Sequence, residues 1–159
     1  MVDTQRRFFL RSKRRVNLQA LPWVKDVANF TDLCTRCGKC QSACQESIIV
    51  AGDGGFPTVD FKKGECTFCY DCASACPENL FNAEENAPWH QAITITETCL
   101  AQNAVECRSC ADACDTRAIQ FRMTLGSVAQ PQITTTSCTG CGACISPCPV
   151  SAISMEQRV

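Results

Sequence analysis

Sixteen of the 159 residues are cysteine, and they fall into four runs whose intervals repeat. The last run, CTGCGACISPCP over residues 138–149, shows the rule most plainly: two residues separate Cys138 from Cys141 and Cys141 from Cys144, three more precede Cys148, and Pro149 follows. Three thiolates on a tight loop can take three corners of an iron-sulfur cube, and this interval with its trailing proline is the bacterial run for a four-iron, four-sulfur cluster. Gly140 and Gly142 suit the turn, since glycine adopts backbone angles that a side chain resists. In two-cluster proteins the fourth cysteine of a run ligates the neighbouring cluster, so one run implies another.

Three others are present. They are Cys34, Cys37, Cys40 and Cys44; then Cys66, Cys69, Cys72 and Cys76 with Pro77; then Cys99, Cys107, Cys110 and Cys114. The third departs from the pattern, because seven residues, Leu100 to Glu106, separate its first two cysteines. Every cysteine is thereby used. A disulfide scaffold would need secretion and has no cause to repeat one ligand interval. Zinc sites use pairs with a longer gap between them and would leave the third cysteine of each triplet idle. Buried structural thiols have no reason to converge on one side of a loop.

The layout around the runs is itself repeated. Residues 47–50 and 58–61 read as short strands with a glycine-rich turn, residues 52–55, between them, and this hairpin bridges the first two runs. A strand at 92–96 opens a second unit, in which strands at 118–122 and 132–134 bridge the last two runs and a strand at 152–155 closes the chain. The expected fold is α+β: tandem bacterial-type two-cluster ferredoxin-like units of short strands, cluster loops and short helices. The expected divisions are a basic N-terminal arm at 1–30, a first unit at 31–81, a polar linker at 82–91 and a second unit at 92–159. Sequential pairing with crossed fourth ligands makes four sets: Cys34, Cys37, Cys40 and Cys76; Cys66, Cys69, Cys72 and Cys44; Cys99, Cys107, Cys110 and Cys148; Cys138, Cys141, Cys144 and Cys114. Nested pairing, first run with fourth and second with third, is the alternative.

Without its cysteines the chain is only about 35% apolar, too little for a large hydrocarbon core. Binding of the clusters is therefore expected to drive folding, and the apo chain to be mostly disordered. Formal net charge is −1, but the first fifteen residues hold six basic side chains and one acid, while the remainder holds nine basic and fifteen acidic residues. An acidic body excludes nucleic-acid binding as the main role. The only histidine, His90, stands in the linker without a catalytic constellation around it, and no dinucleotide or phosphate motif is present. The chain reads as an electron-transfer or maturation protein, not an enzyme. Arg6-Arg7-Phe8-Phe9-Leu10 has the look of a twin-arginine export signal, yet Arg11, Lys13, Arg14 and Arg15 stand where the apolar segment belongs. The expected location is the cytoplasm, with no membrane span. The arm reads as a docking segment in which Phe8, Phe9, Leu10 and Trp23 make apolar contacts, or as a basic tail.

Two stretches carry a closer likeness: GGFPTVDFKKGECTFCYDCASACPENLF from Gly54 to Phe81, and CLAQNAVECRSCADAC from Cys99 to Cys114 with its long gap. Through them the chain resembles the ferredoxin-type accessory proteins of the periplasmic nitrate reductase (Nap) system. The resemblance implies a cytoplasmic protein with four [4Fe-4S] clusters whose partner is the catalytic subunit of that reductase, met as a cytoplasmic precursor and assisted in maturation before export. The alternative is an electron-transfer subunit that relays electrons between redox partners in a membrane-associated oxidoreductase complex.

Overall fold

The computed structural model describes residues 19–123 and 125–157. Arg6, Arg7, Phe8, Phe9, Leu10, Arg11, Lys13, Arg14 and Arg15, with the docking role expected of them, lie outside the described residues.

Regular structure comes in short pieces set between the cysteine loops. In chain order these are α1 Phe30–Leu33, α2 Lys39–Ala43, β1 Ile49–Ala51, a 3-10 turn at Asp53–Gly55, β2 Pro57–Val59, α3 Asp71–Ser74, β3 Gln91–Ile95, α4 Ser109–Asp112, β4 Ile119–Arg122, β5 Gln130–Ile133 and β6 Ile153–Gln157. The architecture is a small α/β mixture of few, one-turn helices and short strands. The strands make three two-stranded antiparallel sheets, β1–β2, β4–β5 and β3–β6. Ile49 stands opposite Val59, Ile119 opposite Ile133, and Ile93 opposite Met155. A lone bridge between Val24 and Phe81 flanks the first two cysteine runs as the β3–β6 pair flanks the last two.

Several strands begin later or earlier than their sequence suggests, for backbone reasons. Ser47 and Ser151 have φ of 55° and 50°, a left-handed geometry that no strand can include, so β1 and β6 start two residues further on. β5 starts at Gln130 and takes in Pro131, which is tolerated because a two-stranded sheet leaves one side of every strand unpaired.

Two small cores lie under these sheets. Leu21, Ile48, Ile49, Val59, Phe61 and Cys72 form the first, and Ile93, Cys110, Ile119, Cys144 and Ile153 the second; Ile145 and Met155 pack against both. Two-stranded sheets are marginal alone in water, and cores of this size contain thiols as well as hydrocarbon. A large share of folding energy is therefore left to whatever the thiols bind.

Trp23 corrects one expectation. It was expected as an apolar contact for a partner, but only 4% of it is exposed. Its ring meets Tyr70 edge-on at 5.0 Å and Phe68 at 6.4 Å, and its Nε1 donates to the carbonyl of Asn86 at 2.9 Å. The polar stretch 82–91 is tied to it: Asn82 N donates to Trp23 O at 2.7 Å, and the Trp23 N–H donates to Pro88 O. An indole buried with its N–H paired has nothing left to offer a second protein.

The halves of the chain meet through the end of that stretch. Trp89 Nε1 donates to Thr139 O at 3.0 Å, and its ring lies edge-on to Phe61 at 5.9 Å. Gln91, 1% exposed, donates to Gly140 O at 3.3 Å and accepts from the Gln19 amide, so its buried polar group is satisfied on both sides.

Candidate metal-cluster sites

None of the sixteen cysteines forms a disulfide, and their thiols surround four cavities in sets of four. The first cavity is lined by Cys34, Cys37, Cys40 and Cys76. The second is lined by Cys44, Cys66, Cys69 and Cys72. Cys99, Cys107, Cys110 and Cys148 line the third, and Cys114, Cys138, Cys141 and Cys144 the fourth. The fourth cysteine of every run thus faces the cavity of its sequence neighbour. Cys148 lies with the third run and not with the first, which is the arrangement that nested pairing would have required.

Three of the four loops owe their curvature to two left-handed residues, one just before the second cysteine and one just after it. In the first run they are Arg36 and Gly38, in the second Phe68 and Tyr70, in the fourth Gly140 and Gly142. The glycines adopt this geometry freely, whereas Arg36, Phe68 and Tyr70 hold it at a cost of about 1–2 kcal/mol each. Strain of that kind gathers where the backbone must curve around a ligand. Sequence reading noticed only the glycines, although the shared position relative to the second cysteine was there to be seen.

The long gap of the third run solves the same problem differently. Asn103 Nδ2 donates to Glu97 O at 2.7 Å and Cys99 O at 2.9 Å, while Val105 N donates to Leu100 O at 2.9 Å. Ala101 is fully buried, and its carbonyl accepts from Gln130 Nε2 at 2.7 Å. The seven residues fold back on themselves and return Cys107 to the cavity that Cys99 lines. After Cys107 no left-handed residue is needed, and Arg108, with φ −134°, leads straight into α4.

The third cysteine is the buried one in the last three runs, and Cys40 in the first is partly buried. Burial pushes the thiols of Cys40 and Cys110 up to about 11 and those of Cys72 and Cys144 up to about 12, and neighbouring thiolates add to the rise. A pKa so far above neutral means that these groups bind as thiolates only when a strong cationic partner displaces their protons. Burial raises Cys114 as well, but hydrogen bonds from the Thr116 hydroxyl and from the N–H groups of Ile119 and Ala118 outweigh it and leave the thiol lowered. Ala118 N lies 3.3 Å from the Cys114 sulfur, and Ala152 N 3.2 Å from that of Cys148. Donors of this kind stabilise negative sulfur and tune the potential of an iron-sulfur centre. At exposed Cys37 the backbone N–H of Lys39 is the chief cause of a lowered pKa.

The donor set suits a cluster better than a lone ion. Among the described residues no three His, Cys, Asp or Glu side chains converge on one point that could hold a single metal. The four thiols of each set stand around a space instead, and that is what a cube with an iron at each thiolate needs.

Neighbouring cavities adjoin one another. Cys40 packs against the core that contains Cys72, and Cys110 and Cys144 belong to one core. Cys66 N also donates to Cys141 O at 2.9 Å. The cavities therefore run in one file, first, second, fourth, third, and the junction between the halves is a direct contact of two cysteine loops. His90 is exposed and lines none of them.

Comparison with known proteins shows what kind of domain the chain carries. The family model for a 4Fe-4S dicluster domain matches residues 33–80 and again 104–152. Its second match begins inside the long gap, after Cys99. The chain is 48% identical over 136 residues to the ferredoxin-type protein NapF of Haemophilus influenzae, covering 86% of this chain and 77% of that protein. It is 46% identical over 157 residues to the ferredoxin-type protein NapF of Escherichia coli (strain K12), covering 98% of this chain and 96% of that protein. With likeness of this degree along nearly its whole length, and cysteines gathered in fours, the chain belongs to the NapF family of ferredoxin-type iron-sulfur proteins.

Proposed function

We propose that the chain is built of two tandem two-cluster units and holds four [4Fe-4S] clusters, one in each cavity, with the crossed ligand sets that line them. The observation that carries this reading is the file of four cavities with four thiols each. Bound there, the clusters supply one-electron redox chemistry. The protein holds them with its thiols, donates N–H groups to the sulfurs and sets each centre beside the next. The anaerobically purified protein is expected to hold about 16 iron and 16 sulfide per chain, four of each per cube. Four zinc and no sulfide would sink the reading, whereas about 12 iron would mark one site as incomplete, with the Cys99 site the first suspect.

The physiological role that fits this architecture is work in the cytoplasm on the catalytic subunit of periplasmic nitrate reductase, before that subunit is exported. Family membership along nearly the whole chain supports this reading, together with the lack, among the described residues, of any helix long and apolar enough to cross a membrane. A captured chain is expected to bring down the unexported precursor of the catalytic subunit from cytoplasm. Recovery of a membrane quinol-oxidising complex in its place would favour a relay subunit.

A further inference from the structure

Two cysteines, Cys37 and Cys69, are exposed, and the charge around them differs in sign. Cys69 belongs to the second cavity, whose lining includes Glu46 and Glu65 and no cation. Cys37 belongs to the first, at one end of the file. It stands between Arg36, which lines that cavity, and Lys39, both exposed. The Arg36 guanidinium is held in place by Gly54 O at 3.2 Å and by the Phe56 ring at 5.1 Å, so its charge is fixed beside the opening. One acid, Glu78, also lines this cavity. The linings of the third and fourth cavities contain no charged side chain.

These facts converge on a route of exchange. An acidic body repels an anionic partner from most directions, and a cationic rim around an exposed thiol leaves one approach open. We propose that the chain exchanges electrons at the mouth of the first cavity, at Cys37 between Arg36 and Lys39, with a redox partner whose contact surface is acidic. The proposal rests on the four-cluster reading. In each event one electron passes between the centre held by Cys34, Cys37, Cys40 and Cys76 and the partner. No bond forms or breaks, and no proton moves. Internal transfer along the file then refills or drains that end.

The test uses reduced holoprotein of verified iron and sulfide content and two one-electron oxidants of opposite charge, hexacyanoferrate(III) and hexaammineruthenium(III). Lys39→Glu is expected to slow the first phase of oxidation by hexacyanoferrate(III) about tenfold at low ionic strength and to speed oxidation by the ruthenium complex. Both effects should fade in about 1 M salt, where charges are screened within about 3 Å. Lys62→Glu makes the same change in net charge in the segment between β2 and the second cysteine run, not beside Cys37, and should leave both rates near those of the parent. Equal slowing by both substitutions, or by neither, overturns the proposal. Should Lys39→Glu lose iron, Lys39→Gln is expected to give about half the logarithmic effect, and an unchanged rate there overturns it equally. A second readout needs no electron transfer: redox-inert hexacyanochromate(III) should broaden the proton resonances of Cys37 more than those of Cys69, and the reverse order overturns the assignment. Parent protein without its iron would fail the cluster reading itself, before any rate is measured.

Discussion

Replacing Cys76 with serine is expected to remove the centre that Cys34, Cys37 and Cys40 hold, while the centre of Cys66, Cys69 and Cys72 survives. Cys76 lies in its own run only by sequence. In space it shares the first cavity with the earlier run, and burial there raises its pKa, with the nearby Cys37 and Cys34 adding to the rise. Serine has no thiolate to offer an iron, so one corner of that cube is left without its ligand. Iron per chain should fall from about 16 to about 12. Cys44→Ser should do the mirror-image damage, since Cys44 lines the second cavity with Cys66, Cys69 and Cys72. Electron paramagnetic resonance of the reduced single and paired variants distinguishes the centres. If Cys76→Ser and Cys66→Ser extinguish one signal while Cys34→Ser extinguishes another, the crossed assignment is wrong.

Gly142→Ala is expected to destabilise the protein by about 3 kcal/mol or more, from two causes that can be separated. The residue has φ +83°, where a side chain costs about 1–2 kcal/mol. A Cβ there would also lie 2.0 Å from Cδ1 and 2.5 Å from Cγ of Phe61, a buried ring in the other half of the chain, and overpacking of this kind costs about 1–3 kcal/mol. The measurement is the temperature at which iron-sulfur absorbance is lost under anaerobic heating. Adding Phe61→Ala to Gly142→Ala should cost less than the two separate losses together, because the collision disappears while the backbone strain stays. Strict additivity would mean that the ring and the glycine do not meet. Gly140→Ala should be costly too, since its Cβ would come within 2.8 Å of Trp89 Nε1 and 2.9 Å of Gln91 Cγ.

Cluster loops are legible in a sequence because their ligands are local. Three thiols that must sit on one turn are held by intervals of two residues, and no distant contact can change that arithmetic. Strand hairpins between the runs were legible for a similar reason, with glycine turns and alternating apolar residues close together. The limits of β1 and β6 were less so, since the left-handed turns at Ser47 and Ser151 carry no glycine to betray them.

By itself the sequence determined the chemistry: the sixteen thiols, their grouping by fours, and an acidic remainder of the chain after a basic N-terminal stretch. Tertiary structure alone decided which groups meet. That Trp23 is buried beneath residues 82–91, that Cys66 touches Cys141, and that Gly142 makes room for Phe61 as well as for a turn all depend on residues far apart in the chain. The same holds for the file of cavities and for the cations at one end of it. Spacing within a run is a property of a dozen residues and their backbone, whereas the order of the runs in space follows from how two small cores share Ile145 and Met155, and such packing leaves no local pattern to read.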